Sequence, residues 1–336
     1  MSIYIPINSQ KKQVKSIFGN VNGGMKKFNG MFGNVDGTMV KTFDNANKSI
    51  GKFVAVGSSG ASAYSLDGET WIVTSDLDAS YYYSVAYGKD RFVCVGKYGE
   101  SYYSLDGEAW IEMTGLDAAY SYTCVEYIND RFICIGSSGK SYYSLDGETW
   151  VEGMTGLSSY SYQGMAYGNG TYVAVTRGDY VSYSIDGSTW VKATGLSSSE
   201  FYNDVAYGNG KFVMVGDSGK AAYSIDGKTW TKVTGLSSSY NYSGIAYGDG
   251  KFVTVNQIGK SYYSMDGIIW VDLTSTAGSC GGAKKVTYGD GRFVAVGTTG
   301  QAYYLNSDNK WNAMSGLDTD YIYNDVCYGV VEERVA

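Results

Sequence analysis

Tyr202-Asn203-Asp204-Val205-Ala206-Tyr207-Gly208 turns through Asn209-Gly210-Lys211 into Phe212-Val213-Met214-Val215-Gly216, then through Asp217-Ser218-Gly219 into Ala221-Ala222-Tyr223-Ser224, and at Asp226-Gly227 into Thr229-Trp230. These are four short runs, rich in aromatic and β-branched residues, each bounded by Gly, Asn or Asp. Such boundary residues accept the positive φ angles that tight hairpins need, so the stretch predicts four antiparallel strands. The unit recurs. Trp71, Trp110, Trp150, Trp190, Trp230, Trp270 and Trp311 stand 39, 40, 40, 40, 40 and 41 residues apart. A period of about 40 residues made of several short strands is the pattern of a propeller blade, whereas helical repeats of that length show a 3.6-residue period and few glycines.

The second strand of the unit begins at Phe53, Phe92, Phe132, Tyr172, Phe212, Phe252 and Phe293 and is almost continuously apolar, as expected of a strand covered on both faces. The first strand also occurs seven times, around Val85, Val125, Met165, Val205, Ile245, Val286 and Val326, but out of phase. No first strand precedes Phe53, and no second strand follows Tyr323 to Tyr328. The two loose ends complete one another. The fold expected is therefore all-β: a seven-bladed β-propeller of four-stranded blades over residues 51–336, its ring closed by the C-terminal strand, with a small N-terminal β module over residues 1–50.

Composition agrees and removes several chemistries. With 44% apolar residues, 46 glycines and one proline, the chain is turn-rich yet able to bury a core. It contains no histidine, which excludes His-based metal sites and His general bases, and no metal or other cofactor is expected. Among the five cysteines, Cys94, Cys134 and Cys327 stand where other units carry small or apolar residues, so free buried thiols are expected rather than a disulfide framework, in keeping with folding in a reducing cytoplasm. There is neither an apolar run of about 18 residues nor a leader pattern, so no membrane span and no signal peptide are expected.

Ser65-Leu66-Asp67-Gly68-Glu69-Thr70-Trp71 returns at Ser104 to Trp110, Ser144 to Trp150, Ser184 to Trp190, Ser224 to Trp230 and Ser264 to Trp270, with a worn copy at Ser307-Asp308-Asn309-Lys310-Trp311. The motif resembles the Asp-box, or BNR repeat, of sialidases and related propellers, short of it by one residue between Asp and Gly. The resemblance implies a turn between the last two strands of a blade, with Asp bonding turn amides and Trp packed inside, away from any catalytic face. Residue chemistry leads to the same reading, because a feature present in nearly every blade marks no single active site. A sialidase-like glycoside hydrolase would need converging arginines and an activated tyrosine. Arg91, Arg131 and Arg292 instead share one repeat position ahead of the second strand, where Lys52, Lys211 and Lys251 stand elsewhere, and read as solvated turn residues. No catalytic residue is assigned, and no enzyme is expected.

The first fifty residues carry a different repeat: Phe18-Gly19-Asn20-Val21-Asn22-Gly23-Gly24-Met25 is echoed by Phe32-Gly33-Asn34-Val35-Asp36-Gly37-Thr38-Met39. Two small hairpin units are expected, too small to bury much without a partner or self-association into a homo-oligomer. Seven Lys against two Asp give this segment +5, so with the whole chain at −7 the propeller carries −12. A basic attachment segment on an acidic body suits docking, and the acidic body disfavours nucleic acid. Residues 14 to 43 also look like the Gly-Asn-Val-x-Gly-x-x-Lys-Lys elements of tail and baseplate proteins of phages and phage-like particles of Gram-positive bacteria. That resemblance implies a virion protein, made in the bacterial cytoplasm, that docks on other tail or baseplate proteins through residues 1–50. It would present the propeller to a host cell-surface glycan or protein, or else serve as a purely structural assembly propeller.

Two sets of residues are candidates for the ligand site. Tyr81, Tyr120, Tyr160, Tyr240 and Tyr321 lie in the loops between blades, each two residues ahead of a second tyrosine (Tyr83, Tyr122, Tyr162, Tyr242, Tyr323), and form either a sugar-stacking ring or packing between blades. Alternatively, the places where the repeat breaks mark the site. Thr176-Arg177-Gly178-Asp179-Tyr180 replaces the usual Gly-Ser-Ser-Gly turn, and Glu200-Phe201 replaces Tyr followed by Ser or Asn. On that reading Arg177, Asp179, Tyr180 and Glu200 share one rim. Asn256-Gln257-Ile258 and Gly278 to Lys285 are further breaks.

Overall fold

The computed structural model describes residues 49–332, apart from 154, 155, 158, 179, 197–199 and 274–277, together with the backbone of the strands lying between Tyr4 and Lys48 and of residues 333–334. The chain separates into two compact units, Met1–Lys48 with Glu333–Ala336, and Ser49–Glu332. In the first unit the backbone forms three two-stranded antiparallel pairs: Tyr4–Ile7 with Gln10–Gln13, Phe18–Val21 with Gly24–Lys27, and Met31–Val35 with Thr38–Thr42. The last two are the hairpins expected from the Gly-Asn-Val echo. The first carries no comparable signal. The turn residues Asn22, Gly23, Asp36 and Gly37 lie outside the described residues.

The second unit is a seven-bladed propeller of four-stranded antiparallel sheets. In blade 5, Tyr202–Gly208, Lys211–Gly216, Ala221–Ser224 and Thr231–Val233 run from the axis outward. Blade 1 is composite: Tyr323–Arg334 supplies the innermost strand for Asn47–Gly57, Ser62–Ser65 and Ile72–Thr74. The outer strands are only two or three residues long, which leaves little free edge for another chain to pair with. Among the described residues no helix is long and apolar enough to cross a membrane.

The repeated positions each do one job. At the hairpin between first and second strands, Asn209 (φ 47°) and Gly210 (φ 75°) take the two left-handed conformations of a primed turn. The apolar second strands are fully buried, and the core divides into seven clusters, one at each interface between neighbouring blades. At the interface of blades 4 and 5, for example, Val173, Val175 and Val181 meet Tyr202, Val205, Phe212 and Trp230. Gly208 has no side chain because a Cβ there would lie within the ring of Tyr247 of the next blade. Gly88, Gly168, Gly248, Gly289 and Gly329 meet Tyr127, Tyr207, Tyr288, Tyr328 and Tyr87 in the same way, so this row of contacts passes through the closure of the ring. All five cysteines are free; Cys94 and Cys134 are buried as their repeat positions indicated, as are Cys124 and Cys280, while Cys327 is only half-buried.

The Asp turn forms as its chemistry requires. Asp226 Oδ1 accepts the amides of Lys228 and Thr229 at 2.8 and 2.9 Å, and Ser224 Oγ accepts that of Gly227 at 2.9 Å. These bonds favour the charged carboxylate and hold Asp226 below its ordinary pKa; the same is true of Asp67, Asp106, Asp146, Asp186 and Asp266. In blade 7 the acceptor is Asn306, which receives the amides of Asp308 and Lys310. Leu305 stands opposite Phe293 as Ser65 stands opposite Phe53, so the worn copy begins at Leu305, two residues before Ser307, and reaches Trp311 over the usual length.

The cations ahead of the second strands are not simply solvated. Arg91 pairs with Glu148 at 2.6 Å, Arg292 with Glu69 at 3.0 Å and Lys52 with Glu108 at 2.6 Å, while Arg131 and Lys211 donate to the carbonyls of Asp186 and Asp266. Each reaches the Asp turn of the following blade. Arg292, in blade 7, reaches blade 1.

Candidate functional site

Most innermost strands enter the sheet through an irregularity. In blades 2, 3, 4, 5 and 7 the pairing register shifts by one residue just after the first position, leaving Tyr83, Thr123, Gln163, Asn203 and Lys284 as the extra, unpaired residue. A β-bulge re-aims its side chain. Here the bulged side chains, with Ser243 and Asn324 from the remaining blades, line a funnel of about 730 Å³ at one end of the propeller axis. Its rim is made by loops of the same face, with Arg177, Asp217, Tyr240, Asn241, Asn256 and Gln257. Below the rim these side chains also join blades: Asn324 Nδ2 donates to Tyr82 O at 2.9 Å, Asn203 Nδ2 to Tyr242 O at 2.9 Å, and Thr123 Oγ1 to Tyr162 O.

The residue after the bulge forms a charged floor. Asp204 Oδ1 pairs with Lys285 Nζ at 2.8 Å, and its Oδ2 accepts the Ile245 amide at 2.9 Å. Asp325 accepts from Ser84 Oγ at 2.7 Å and from the Val85 amide at 3.0 Å. Glu126 faces a second cavity of about 500 Å³ on the other side of this floor, lined also by Asp204, Lys285 and Asp325. Removal from bulk water raises the Glu126 carboxyl to about 8; the Lys285 charge opposes the rise, and Asp325 and Asp204 add to it. Burial likewise raises Asp325, against Lys285 and its hydrogen bonds. Burial works against the Lys285 ammonium, but Asp204 and Asp325 outweigh it and hold the amine above its ordinary value.

These shifts fix a pH dependence. Between the ordinary glutamate value of 4.5 and about 8 the folded protein retains a proton on Glu126 that the unfolded chain releases, so stability falls as pH rises through that window. The Asp-turn carboxyls act oppositely: their stabilisation is present above 3.8 and is lost as pH falls below it. Melting temperature measured from pH 3 to pH 9 should therefore peak near pH 5. Glu126→Gln should remove most of the decline on the alkaline side; an unchanged decline would show that Glu126 does not hold the proton.

The residues singled out from sequence do not form one site. Arg177 and Tyr240 reach the funnel rim, Arg177 beside Asp217 at 3.8 Å. Glu200 does not share that rim: it turns inward, 7% exposed, between Lys232 at 3.0 Å and Lys220 at 3.6 Å. Burial opposes its charge, yet those two lysines and the Tyr202 hydroxyl hold it below the usual carboxylate range. Tyr180 packs against Tyr160, ring centroids 6.0 Å apart, with Lys192 over its face. Asp179 lies outside the described residues. Tyr120 lies under Lys140 and Tyr240 under Lys260, while Tyr321 packs on the core between blades 7 and 1.

Tyr81 is not the counterpart of Tyr120. Its carbonyl accepts the Lys97 amide, as that of Ser121 accepts Ser137, so the loop before it is one residue shorter and Ser80 takes the equivalent place. Tyr82, not Tyr83, is accordingly the buried partner of Tyr122, Tyr162, Tyr242 and Tyr323, and Tyr83 belongs to the funnel. The funnel residues themselves were missed. The signal for them was a single repeat position that changes chemistry in almost every blade yet is polar throughout: Tyr83, Thr123, Gln163, Asn203, Ser243, Lys284, Asn324.

Ser84, whose hydroxyl donates to the Asp325 carboxylate, lines the funnel, and among the described residues no group of three or more Cys, Asp or Glu could hold a metal ion. The arrangement offers amide, hydroxyl, ammonium and guanidinium groups on a rigid ring. No protein-family model matches the sequence, and no curated protein matches it. Solved structures do share the fold. A structure of YCF48 bound to a D1 peptide is 17% identical, with 83% of this chain and 88% of that one covered, TM-score 0.59. A streptogramin B lyase is 8% identical over 75% of this chain and 93% of that one, TM-score 0.63. The virginiamycin B lyase from Staphylococcus aureus is 9% identical over 84% and 100%, TM-score 0.58. At these identities the likeness is one of fold, and the chain is a seven-bladed β-propeller of the architecture that these proteins share.

Proposed function

We propose that this chain is a non-enzymatic recognition module of a phage tail or baseplate, holding a host cell-surface glycan in the axial funnel and docking on neighbouring tail proteins through residues 1–50. The observation that carries the reading is the funnel, where seven polar side chains of six kinds stand at one repeat position, five of them on strand bulges. A merely structural ring would be served by one residue type repeated, as the buried tyrosines are. Amide and hydroxyl groups with Tyr83 and Tyr240 at the edge suit hydroxyl-rich ligands. The tail setting rests on the Gly-Asn-Val elements of residues 14 to 43, and the Asp-box resemblance gains support from the bonding of Asp67, Asp106, Asp146, Asp186, Asp226 and Asp266.

A sialidase-like hydrolase is the second reading. It draws on Glu126, an acid held protonated near neutral pH among other carboxylates, as acid catalysis on glycosides requires. Against it, Asp204 and Asp325 are already engaged by Lys285, Ser84 and backbone amides. A protein ligand is the third, since the YCF48 propeller is seen with a peptide. The labelled full chain on an array of bacterial surface glycans, with assay of released sugar, separates them. Retention without release is expected. Release that disappears in Glu126→Gln would establish the hydrolase, and no retention on any glycan would overturn glycan recognition.

A further inference from the structure

Resting on the reading of the funnel as the recognition site, we infer that its ligand carries an anionic group, a carboxylate or phosphate on a hydroxyl-rich molecule, and that Lys284 is the residue that receives it. Six of the seven blades place a neutral side chain at the bulge position, and blade 7 places a lysine. The neutral residues show what the ring itself needs. Thr123, Asn203 and Asn324 each donate to a carbonyl of the following blade, and an amide or hydroxyl is sufficient for that. Lys284 makes the equivalent link with its ammonium, donating to Asn324 Oδ1 at 2.7 Å.

What distinguishes this link is its charge. The other cations around the funnel have carboxylate partners, Lys285 in Asp204 and Arg177 in Asp217. Lys284 has none within ion-pair distance among the described residues, and its one acceptor is a neutral amide oxygen, although an ammonium has three protons to give. The side chain is half-buried in the funnel wall, and burial without a counter-charge depresses its pKa. A desolvated cation with donors to spare, facing a cavity large enough for a sugar, lacks its anion. An incoming carboxylate or phosphate would take those protons in charge-assisted hydrogen bonds while its hydroxyls meet Gln163, Asn203 and Tyr240.

The funnel suits a glycan because, Ile258 apart, its lining residues all carry a polar group, and the rings of Tyr83 and Tyr240 can stack on a sugar face. Calorimetric titration of the full chain with glucuronate, glycerol 1-phosphate and glucose tests the inference, alongside Lys284→Gln and Lys284→Arg. Glutamine is the natural control, since Gln163 occupies the same position in blade 4 and an amide can still donate to Asn324. At least one anionic probe should bind more tightly than glucose and more weakly as salt rises. Lys284→Gln should weaken that probe about tenfold or more, and weaken glucose far less, in protein that still melts as the parent does, with Lys284→Arg close to the parent. Preference for glucuronate assigns a carboxylate, and preference for glycerol 1-phosphate assigns a phosphate. Glucose binding as well as either anion, unaffected by Lys284→Gln, would overturn the anion while leaving funnel recognition standing. Absence of binding by all three, with a carboxyl-terminal peptide bound instead, would overturn both.

Discussion

Deletion of residues 321–336 should yield a chain that does not fold. The segment contains Tyr323–Arg334, the innermost strand of blade 1, and its loss removes more than one row of backbone pairing. Tyr323 and Val326 leave the core between blades 7 and 1, Asp325 leaves the Val85 amide and Ser84 hydroxyl unpaired, and Tyr328 leaves Gly289 and Phe53 uncovered. Two buried side chains of this size are worth roughly 3–6 kcal/mol together, already comparable with the whole stability of many domains. Because each blade packs only on its neighbours, an open ring exposes two such surfaces at once. The expected outcome is insoluble protein, or soluble protein without a cooperative melting transition. A truncated protein that melts cooperatively at the parent temperature would refute ring closure by this strand.

This closure was legible in the sequence because seven first strands and seven second strands, offset by one, can be matched in only one way. The turns were legible for a similar reason: Asn209-Gly210 and Asp226-Gly227 state their backbone angles in their residue types. The funnel was not. It depends on an extra residue in five of the innermost strands, and a bulge such as Thr123 or Asn203 interrupts the two-residue alternation that strand patterns are read by. One residue of loop length then moved Tyr83 from the core position to the funnel.

The breaks at Tyr180 and Glu200 misled for a different reason. In four of the loops on this face a residue packs against the one twenty positions on: Tyr120 with Lys140, Tyr160 with Tyr180, Glu200 with Lys220, Tyr240 with Lys260. A ring beneath a lysine is exchanged for a ring pair in blade 4 and for an ion pair in blade 5. Both partners change together, so local packing accounts for these departures. Arg177 has no such exchange to explain it and stands at the funnel rim, 61% exposed.

The most direct test of recognition in the funnel is to fill it. Ser243 lies on its wall with a partly buried side chain whose long hydrogen bond, 3.4 Å to the Ala283 carbonyl, contributes little to stability. Ser243→Trp places an indole in the cavity without touching the apolar clusters between blades, so the melting temperature should stay within a few degrees of the parent. Binding of the labelled full chain to host cells should then fall by about tenfold or more, as expected when a bulky group occupies a ligand's place. An Arg177→Ala variant, which trims the rim, should reduce binding less. Folded Ser243→Trp protein is expected to lose cell binding; full cell binding by that protein would contradict recognition in the funnel and move it away from the axis.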